Sequence, residues 1–430
     1  LSSGALPSGV AVLRASGPGA RDLLVNLAGG VPEARRASLR TIRDSDGQTV
    51  DRGLVLFFPG PNSVTGEDLA EFHLHGSRAT VSAFITAACA VPGVRLAEAG
   101  EFTRRAFVNG RIDLTEAEGL ADLLAAETDG QRRRALTQTG GRLRALYEGW
   151  GSQLLEARAL LEADFDFADE GEVSDEVAEG VAQAVETLAS EIEAHLAGAG
   201  RGELMREGFR VALAGSPNAG KSSLLNALAG REAAIVTDIP GTTRDLVEVT
   251  LDLGGVLVRL TDTAGLRDTS DAVEAIGVAR ARDAMARADL VLLLVPPGEP
   301  LAEAQIHVKQ IEPDRLAILR SKADLDGEEL SGLAISVRTG SGLGQLERLI
   351  AARAQEAAGD PDLLVPTRAR HRAALEAALA ILREAPPASL PPEILAENLR
   401  RAAGALEALT GRQGVEDLLD VIFSQFCIGK

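Results

Sequence analysis

The sequence predicts a multidomain chain: an N-terminal α+β domain over residues 1–112, an all-α helical domain in two parts, 113–207 and 357–430, and an α/β domain over 208–356 inserted between those parts. Three observations predict it. Up to residue 112, short alternating strands (Val10 to Arg14, Gly53 to Phe58, Leu69 to His73) mix with Gly and Pro turns and a helix from Arg78 to Ala90. From Asp113 to Leu204 the chain turns rich in Ala, Leu, Glu and Arg at helical spacing, and this texture returns from Thr367 to Phe426, interrupted by the proline-rich stretch Ala385 to Pro392. Between them lie strand-sized apolar runs at Val211 to Ala214, Val256 to Leu260, Leu290 to Val295 and Leu316 to Leu319.

At 430 residues the chain is long enough for two or three domains with their own cores. Its apolar runs fall far short of the ~18 residues that suggest a membrane span. Two cysteines, Cys89 and Cys427, make no disulfide framework, and no charged-then-apolar leader opens the chain, so the cytoplasm is the expected compartment. The chain opens on Leu1 rather than Met, and residues ahead of it are expected to be missing. A net charge of −19 argues against broad nonspecific nucleic-acid binding. Much of it sits between Glu162 and Glu193, where twelve acidic residues occur with no Lys or Arg. The arginines at 104, 105, 111, 132, 133, 134, 142 and 144 are read as a solvated helix surface in preference to a binding patch.

Chemistry enters at Gly215-Ser216-Pro217-Asn218-Ala219-Gly220-Lys221-Ser222, which fits G-x-x-x-x-G-K-[ST] between an apolar strand and a helix from Ser223 to Leu228. Backbone N–H groups there cradle phosphates, Lys221 neutralises the β and γ groups, and the Ser222 hydroxyl binds Mg²⁺. The strand Val256 to Leu260 runs into Asp262-Thr263-Ala264-Gly265, a Mg²⁺ and γ-phosphate sensor. The strand Leu316 to Leu319 leads to Ser321-Lys322-Ala323-Asp324, whose terminal carboxylate can accept both N–H groups of a guanine edge and select GTP. Ser336-Val337-Arg338 resembles the loop that touches the guanine carbonyl. Ordered matches on successive strand ends define an inserted P-loop GTPase domain of Ras-like type. Asn218, Ala219, Gly220, Lys221, Ser222 and Ser223 are its expected first nucleotide-binding loop.

Two departures stand out. Ser321 replaces the Asn whose amide usually braces the phosphate loop, and the interval from Lys322 to Ser336 is short, with Asp326 to Ser331 a clipped loop where residues are expected to be missing. Hydrolysis also looks unusual. Ras-like GTPases place a Gln after the sensor glycine to orient water, whereas here Leu266 stands and cannot hydrogen-bond. Arg244 and Arg267 are nearby, but surface salt bridging is the preferred reading of each. The loop Thr237-Asp238-Ile239-Pro240-Gly241-Thr242-Thr243 supplies hydroxyls and carbonyls near the nucleotide, all hard-cation ligands. Thr243 is the expected second Mg²⁺ hydroxyl, and an oxygen cage including Asn218 could hold a monovalent cation where an arginine finger's charge would otherwise sit.

With these residues in view, the chain resembles the MnmE (TrmE) tRNA-modification GTPases along essentially its whole length. The resemblance rests on Pro217 to Ser223, Gly241-Thr242-Thr243-Arg244-Asp245 and Asp262 to Arg267. It rests more specifically on Asn62-Ser63-Val64-Thr65-Gly66-Glu67-Asp68, Gly100-Glu101-Phe102-Thr103-Arg104-Arg105-Ala106-Phe107 and the terminal Phe426-Cys427-Ile428-Gly429-Lys430. It implies K⁺ held by Asn218, Thr237, Ile239 and Thr242, Mg²⁺ on Ser222 and Thr243, and Glu274 as the catalytic glutamate that orders water when two GTPase domains meet. It implies a folate site at Arg14, Glu71, Arg111 and Lys430, with Arg111 in place of the usual Lys. It further implies a homodimer formed through the N-terminal domain. With the FAD-dependent partner MnmG, such proteins install an aminomethyl-type group on C5 of the wobble uridine of certain tRNAs, the carbon coming from a formyl or methylene tetrahydrofolate. Cys427 is then the reactive thiol, with Lys430 lowering its pKa.

Other readings of the same residues are weaker. A GTP-controlled ribosome-assembly or RNA-binding factor has no use for Cys427 beside Lys430, and no RNA-binding domain is evident. A dynamin-like scaffold needs membrane-facing stretches the chain lacks. Prenylation of Cys427 fails on Gly429 and Lys430. His73 and His75 are too few for a zinc site.

Overall fold

Alternation along the N-terminal strands decides which face of the first sheet is dry. The structure is a computed structural model that describes residues 1–166, 175–235, 248–262, 281–325, 332–360, 362–384, 389–412, 416–424 and 426. β1 (Ser8–Ser16), β2 (Ser38–Arg43), β3 (Thr49–Phe58) and β4 (Leu69–Gly76) form an antiparallel sheet in the order β1-β4-β3-β2. Ala11, Leu13, Val55, Phe57, Ala70, Phe72 and Leu74 are buried on one face. The two-residue period therefore leaves Arg14 and Glu71, paired across β1 and β4, on the other.

Helices Ala20–Ala28 and Arg78–Cys89 cover the dry face. The first buries Ala20, Leu23, Leu24, Leu27 and Ala28, the i, i+3, i+4, i+7, i+8 stripe of an amphipathic helix. The second starts at Ser77, whose hydroxyl accepts from the Thr80 N–H at 3.0 Å, and it sets Phe84 4.8 Å from Phe72, centroid to centroid.

Contacts divide the chain into two compact units, Leu1–Ala121 with Gln138–Val185 and Ala380–Lys430, and Asp122–Thr137 with Glu186–Leu379. In the first unit, helix Arg142–Asp166 packs along helix Pro392–Thr410, so segments from both sides of the α/β stretch meet around Tyr147, Leu154, Leu399 and Leu406. Helix Glu101–Val108 begins at Gly100, and Phe107 packs with Phe423, which in turn meets Phe426.

The second unit holds β5 (Phe209–Ala214), β6 (Glu248–Leu253), β7 (Val256–Asp262), β8 (Leu290–Val295), β9 (Leu316–Arg320) and β10 (Leu333–Ala334), in the order β10-β9-β8-β5-β7-β6. All neighbours are parallel except β6 and β7. Every residue of β8 is buried, as expected of a parallel strand covered on both faces. Helices Lys221–Ala229 and Leu343–Ala358 pack on one face, and Met285, Ala304 and Val308 on the other.

Two strands go beyond the sequence expectation. β2 buries only Ile42, so its alternation is faint. β6 alternates cleanly, with Val249, Leu251 and Leu253 inward, a signal the sequence reading did not use. The arginine-rich stretch resolves largely into ion pairs: Arg104 with Asp420 and Arg144 with Glu148 in the first unit, Arg132 and Arg133 with Asp129 in the second. Arg134 is buried, and burial lowers its guanidinium pKa to about 10.

Gly100 and Gly110 both adopt left-handed backbone, at φ +68° and +66°. A methyl group at Gly100 would overlap the Phe423 carbonyl oxygen, whereas one at Gly110 meets nothing within 4 Å. Gly110→Ala is expected to cost only the left-handed strain of about 1 kcal/mol. Gly100→Ala adds a steric clash of about 2 kcal/mol more. Thermal unfolding followed by circular dichroism should show the larger drop in midpoint for Gly100→Ala.

Candidate functional site

Parallel pairing brings the carboxyl ends of β5, β7, β8 and β9 to one edge of the second sheet, where open α/β sheets bind ligands. Between β5 and helix Lys221–Ala229, the loop curls through left-handed residues Gly215 (φ +138°), Asn218 (φ +66°) and Gly220 (φ +101°). Gly215 is sterically required, because a Cβ there would lie 2.5 Å from the Leu294 carbonyl oxygen on β8. Lys221 is 6 % exposed and folds back over its own loop, its Nζ donating to the carbonyls of Gly215 at 2.9 Å and Ser216 at 2.8 Å.

The next residue faces β7. Ser222 Oγ donates to Asp262 Oδ2 at 2.5 Å, and Asp262 is almost wholly buried at the strand end. A hydroxyl and a carboxylate oxygen so close together form a hard-donor set that suits Mg²⁺. Ala219 is buried, while Asn218 and Ser223 are exposed. Sequence reasoning missed Glu299, whose Oε2 accepts from Ser216 Oγ at 2.6 Å. The turn Pro296-Pro297-Gly298-Glu299-Pro300 directly after the buried strand β8 was the signal that could have found it.

Next to β9 the second cluster assembles. Ser336 Oγ donates to Asp324 Oδ1 at 2.7 Å, and Arg338 Nε lies 3.6 Å from Asp324 Oδ2. The hydrogen bond from Ser336, with the charge of Arg338 behind it, holds the Asp324 carboxyl below the usual carboxylate range. It is therefore an ionised acceptor at neutral pH. Lys322 is left-handed (φ +55°), the Ala323 N–H donates to Ile335 O at 3.0 Å, and Val337 is exposed. Ser321 is buried and its N–H bonds Val295 O, but its hydroxyl has no hydrogen-bond partner among the described residues. The usual brace to the phosphate loop is not made by this side chain.

In the first unit, Arg14, Glu71 and Arg111 line one cavity of about 400 Å³, together with Arg35, Phe58, Asn62, Ser63, Val64, Leu69 and Ile112. That size suits a small molecule. Arg14 Nε donates to Glu71 Oε1 at 2.7 Å, and His73 Nε2 lies 3.4 Å from Glu71 Oε2. Three guanidinium groups against one carboxylate, beside the Phe58 ring, form a donor set that fits a flat anionic ligand such as a folate. The motif loop Asn62 to Asp68 is buttressed: Thr65 Oγ1 is 2.6 Å from Ser16 Oγ, Asn109 donates to Thr65 O at 2.7 Å, and Arg105 holds Glu67 at 3.0 Å. Burial pushes the Glu101 carboxyl up, yet hydrogen bonds from Arg95, the Glu98 N–H and Arg105 outweigh it and hold the pKa at about 2. Sequence reasoning missed Arg35, Phe58, Leu69 and Ile112 as cavity residues.

Thr237, Asp238, Ile239, Pro240, Gly241, Thr242, Thr243, Thr263, Ala264, Gly265, Glu274, Cys427 and Lys430, all expected at the sites, lie outside the described residues.

A glycine-curled loop before a helix, a buried lysine, a Ser–Asp pair and a separate Asp–Ser pair on one sheet edge define a P-loop GTPase. The model of the GTP-binding protein TrmE N-terminus matches residues 1–111, and that of the MnmE helical domain matches residues 114–427. The tRNA modification GTPase MnmE of Brucella anthropi is 52 % identical over 433 residues, covering all of this chain and 97 % of that protein. The protein of that name from Brucella canis is 52 % identical over 434 residues, with the same coverage. The chain belongs to the MnmE family of tRNA modification GTPases. Among solved structures, the G domain of the T. maritima FeoB iron transporter aligns with 34 % of this chain and 99 % of that chain, at 29 % identity and a TM-score of 0.27.

Asp324→Asn turns an acceptor pair into one acceptor and one donor. GTP affinity, measured by titration with a fluorescent analogue, is expected to fall about 100-fold, and affinity for xanthosine triphosphate, whose edge offers an oxygen instead of an amino group, to rise.

Proposed function

We propose that the chain hydrolyses GTP to drive modification of C5 of the wobble uridine of certain tRNAs to an aminomethyl-type group, acting in the cytoplasm as a homodimer with an FAD-dependent MnmG partner. Residues 1–112 form the folate-binding and dimerisation domain, 113–207 and 357–430 the helical domain, and 208–356 the GTPase domain. What carries the reading is the presence in one chain of a phosphate cradle and a separate Arg-rich cavity. A GTP-controlled binding factor would need only the first.

At the cradle, Lys221 leaves the carbonyls of Gly215 and Ser216 to neutralise the β and γ phosphates, and Asp324 selects guanine. Ser222 and Thr243 hold Mg²⁺, backed by Asp262. Asn218, Thr237, Ile239 and Thr242 would hold K⁺, which would supply positive charge to offset charge developing on the phosphoryl group. With Leu266 unable to orient water, Glu274 positions it. At the cavity, Arg14, Glu71 and Arg111 orient the tetrahydrofolate, and a bound formyl or methylene tetrahydrofolate supplies the carbon. Phe426 anchors the chain end in a cluster with Ile112, itself a cavity residue. Cys427, as the family resemblance implies, is the reactive thiol, and Lys430 joins the folate site.

Steady-state GTP turnover at equal ionic strength is expected to be roughly 10- to 100-fold faster in K⁺ than in Na⁺. Equal rates would remove the cation from the mechanism. In cells whose only copy carries Cys427→Ser, mass spectrometry of tRNA nucleosides should find the aminomethyl-type wobble uridine gone. Retained modification would remove Cys427 from the chemistry.

A further inference from the structure

We propose that Arg35 is the carboxylate anchor of the cavity around Arg14, Glu71 and Arg111, so that the site recognises the glutamyl end of a folate as well as its ring. The inference rests on the folate reading above and deepens it. Arg35 lies between helix Ala20–Ala28 and β2, and its backbone is left-handed at φ +61°, a conformation an arginine adopts only when its surroundings impose it.

Three contacts impose it. The Arg35 N–H donates to Phe57 O at 2.8 Å, the guanidinium carbon lies 5.7 Å from the centroid of the Phe58 ring, and a terminal nitrogen donates to Asn62 O. Phe58 and Asn62 line the cavity with it. All three partners are uncharged, so the guanidinium is held in place without being neutralised. Among the described residues no carboxylate comes within 4.0 Å of it. Among the described residues Arg111 in the same cavity also has no carboxylate partner, whereas Arg14 is paired with Glu71 at 2.7 Å and Arg36 with Glu33 at 2.8 Å.

A guanidinium carries five N–H donors in a rigid fork, and the Asn62 carbonyl takes up only part of it. The rest suits two-point binding of a carboxylate. The aromatic ring desolvates one side of the cation, which strengthens such a bond relative to one in open water. In a chain of net charge −19, an arginine on a cavity wall with left-handed backbone and no carboxylate partner among the described residues calls for an anion. A folate offers one: its ring and benzoyl group are flat, and its glutamyl tail ends in carboxylates.

Isothermal titration of the full chain with formyltetrahydrofolate and with formyltetrahydropteroate, the same molecule lacking the glutamate, tests this directly. The wild type is expected to bind the glutamate-bearing ligand about 10- to 100-fold more tightly, and Arg35→Gln to abolish that difference while leaving pteroate affinity unchanged. Arg35→Lys, which keeps the charge but loses the fork, should recover part of it. An unchanged thermal midpoint checks that each variant is folded. Equal weakening of both ligands in Arg35→Gln, or of neither, overturns the anchor while folate binding stands. Aminobenzoylglutamate is the third ligand: Arg35-dependent binding of it without binding of either pterin ligand would sink the folate reading and uphold the anchor.

Discussion

The nucleotide site depends on the parallel pairing of β5 with both β7 and β8. Leu213 is in register with Asp262 on one side and Leu292 on the other, and Ala214 with Leu293. This pairing aligns the strand ends, so a loop leaving Ala214 and a carboxylate ending β7 arrive side by side. Burial on both faces holds the register, because a one-residue slip would turn Val211, Leu213, Val258 and Leu260 away from their helices. Ser222 and Asp262 can meet at 2.5 Å only on that condition, and so can Ser216 and Glu299.

The first unit solves a different problem with an antiparallel sheet. One face is closed by helices Ala20–Ala28 and Arg78–Cys89, which leaves the other free for polar groups. The pleat sends Arg14 and Glu71 there as a cross-strand pair, and the buttressed loop after β3 adds Asn62 and Ser63. Charge is concentrated in a small space: three guanidinium groups around one carboxylate in a chain that is strongly acidic overall. Elsewhere Arg104, Arg105, Arg132, Arg133 and Arg144 are matched by acids, whereas Arg35 in this cavity has no carboxylate partner among the described residues.

Much of the phosphate cradle was legible because its parts are adjacent in the chain. Gly215, Gly220, Lys221 and Ser222 act through backbone conformation and reach, both of which are local. Asp262 and Asp324 were legible because the first ends an apolar strand and the second sits in the turn just after one, where a lone carboxylate stands out. Glu299 was legible only as a carboxylate in the turn after β8, because nothing near it in sequence points to Ser216, 83 positions away. The hydroxyl of Ser321 was half legible: the sequence shows that the Asn is gone, but not that no described residue takes up the remaining side chain. Edge strand β2 escaped for lack of alternation.

By itself the sequence determined the periodicities, hence the strand and helix types, the order of the nucleotide motifs, and the left-handed turns that only glycine makes cheaply. Those properties follow from dihedral preference and side-chain period, which act over a few residues. Tertiary structure alone decided which charges meet. It buried Arg134, paired most of the remaining arginine run with acids, and gathered Arg14, Arg35, Glu71 and Arg111 around one cavity. Electrostatic contacts form between side chains that packing brings within a few ångströms, and separation along the chain does not specify that distance.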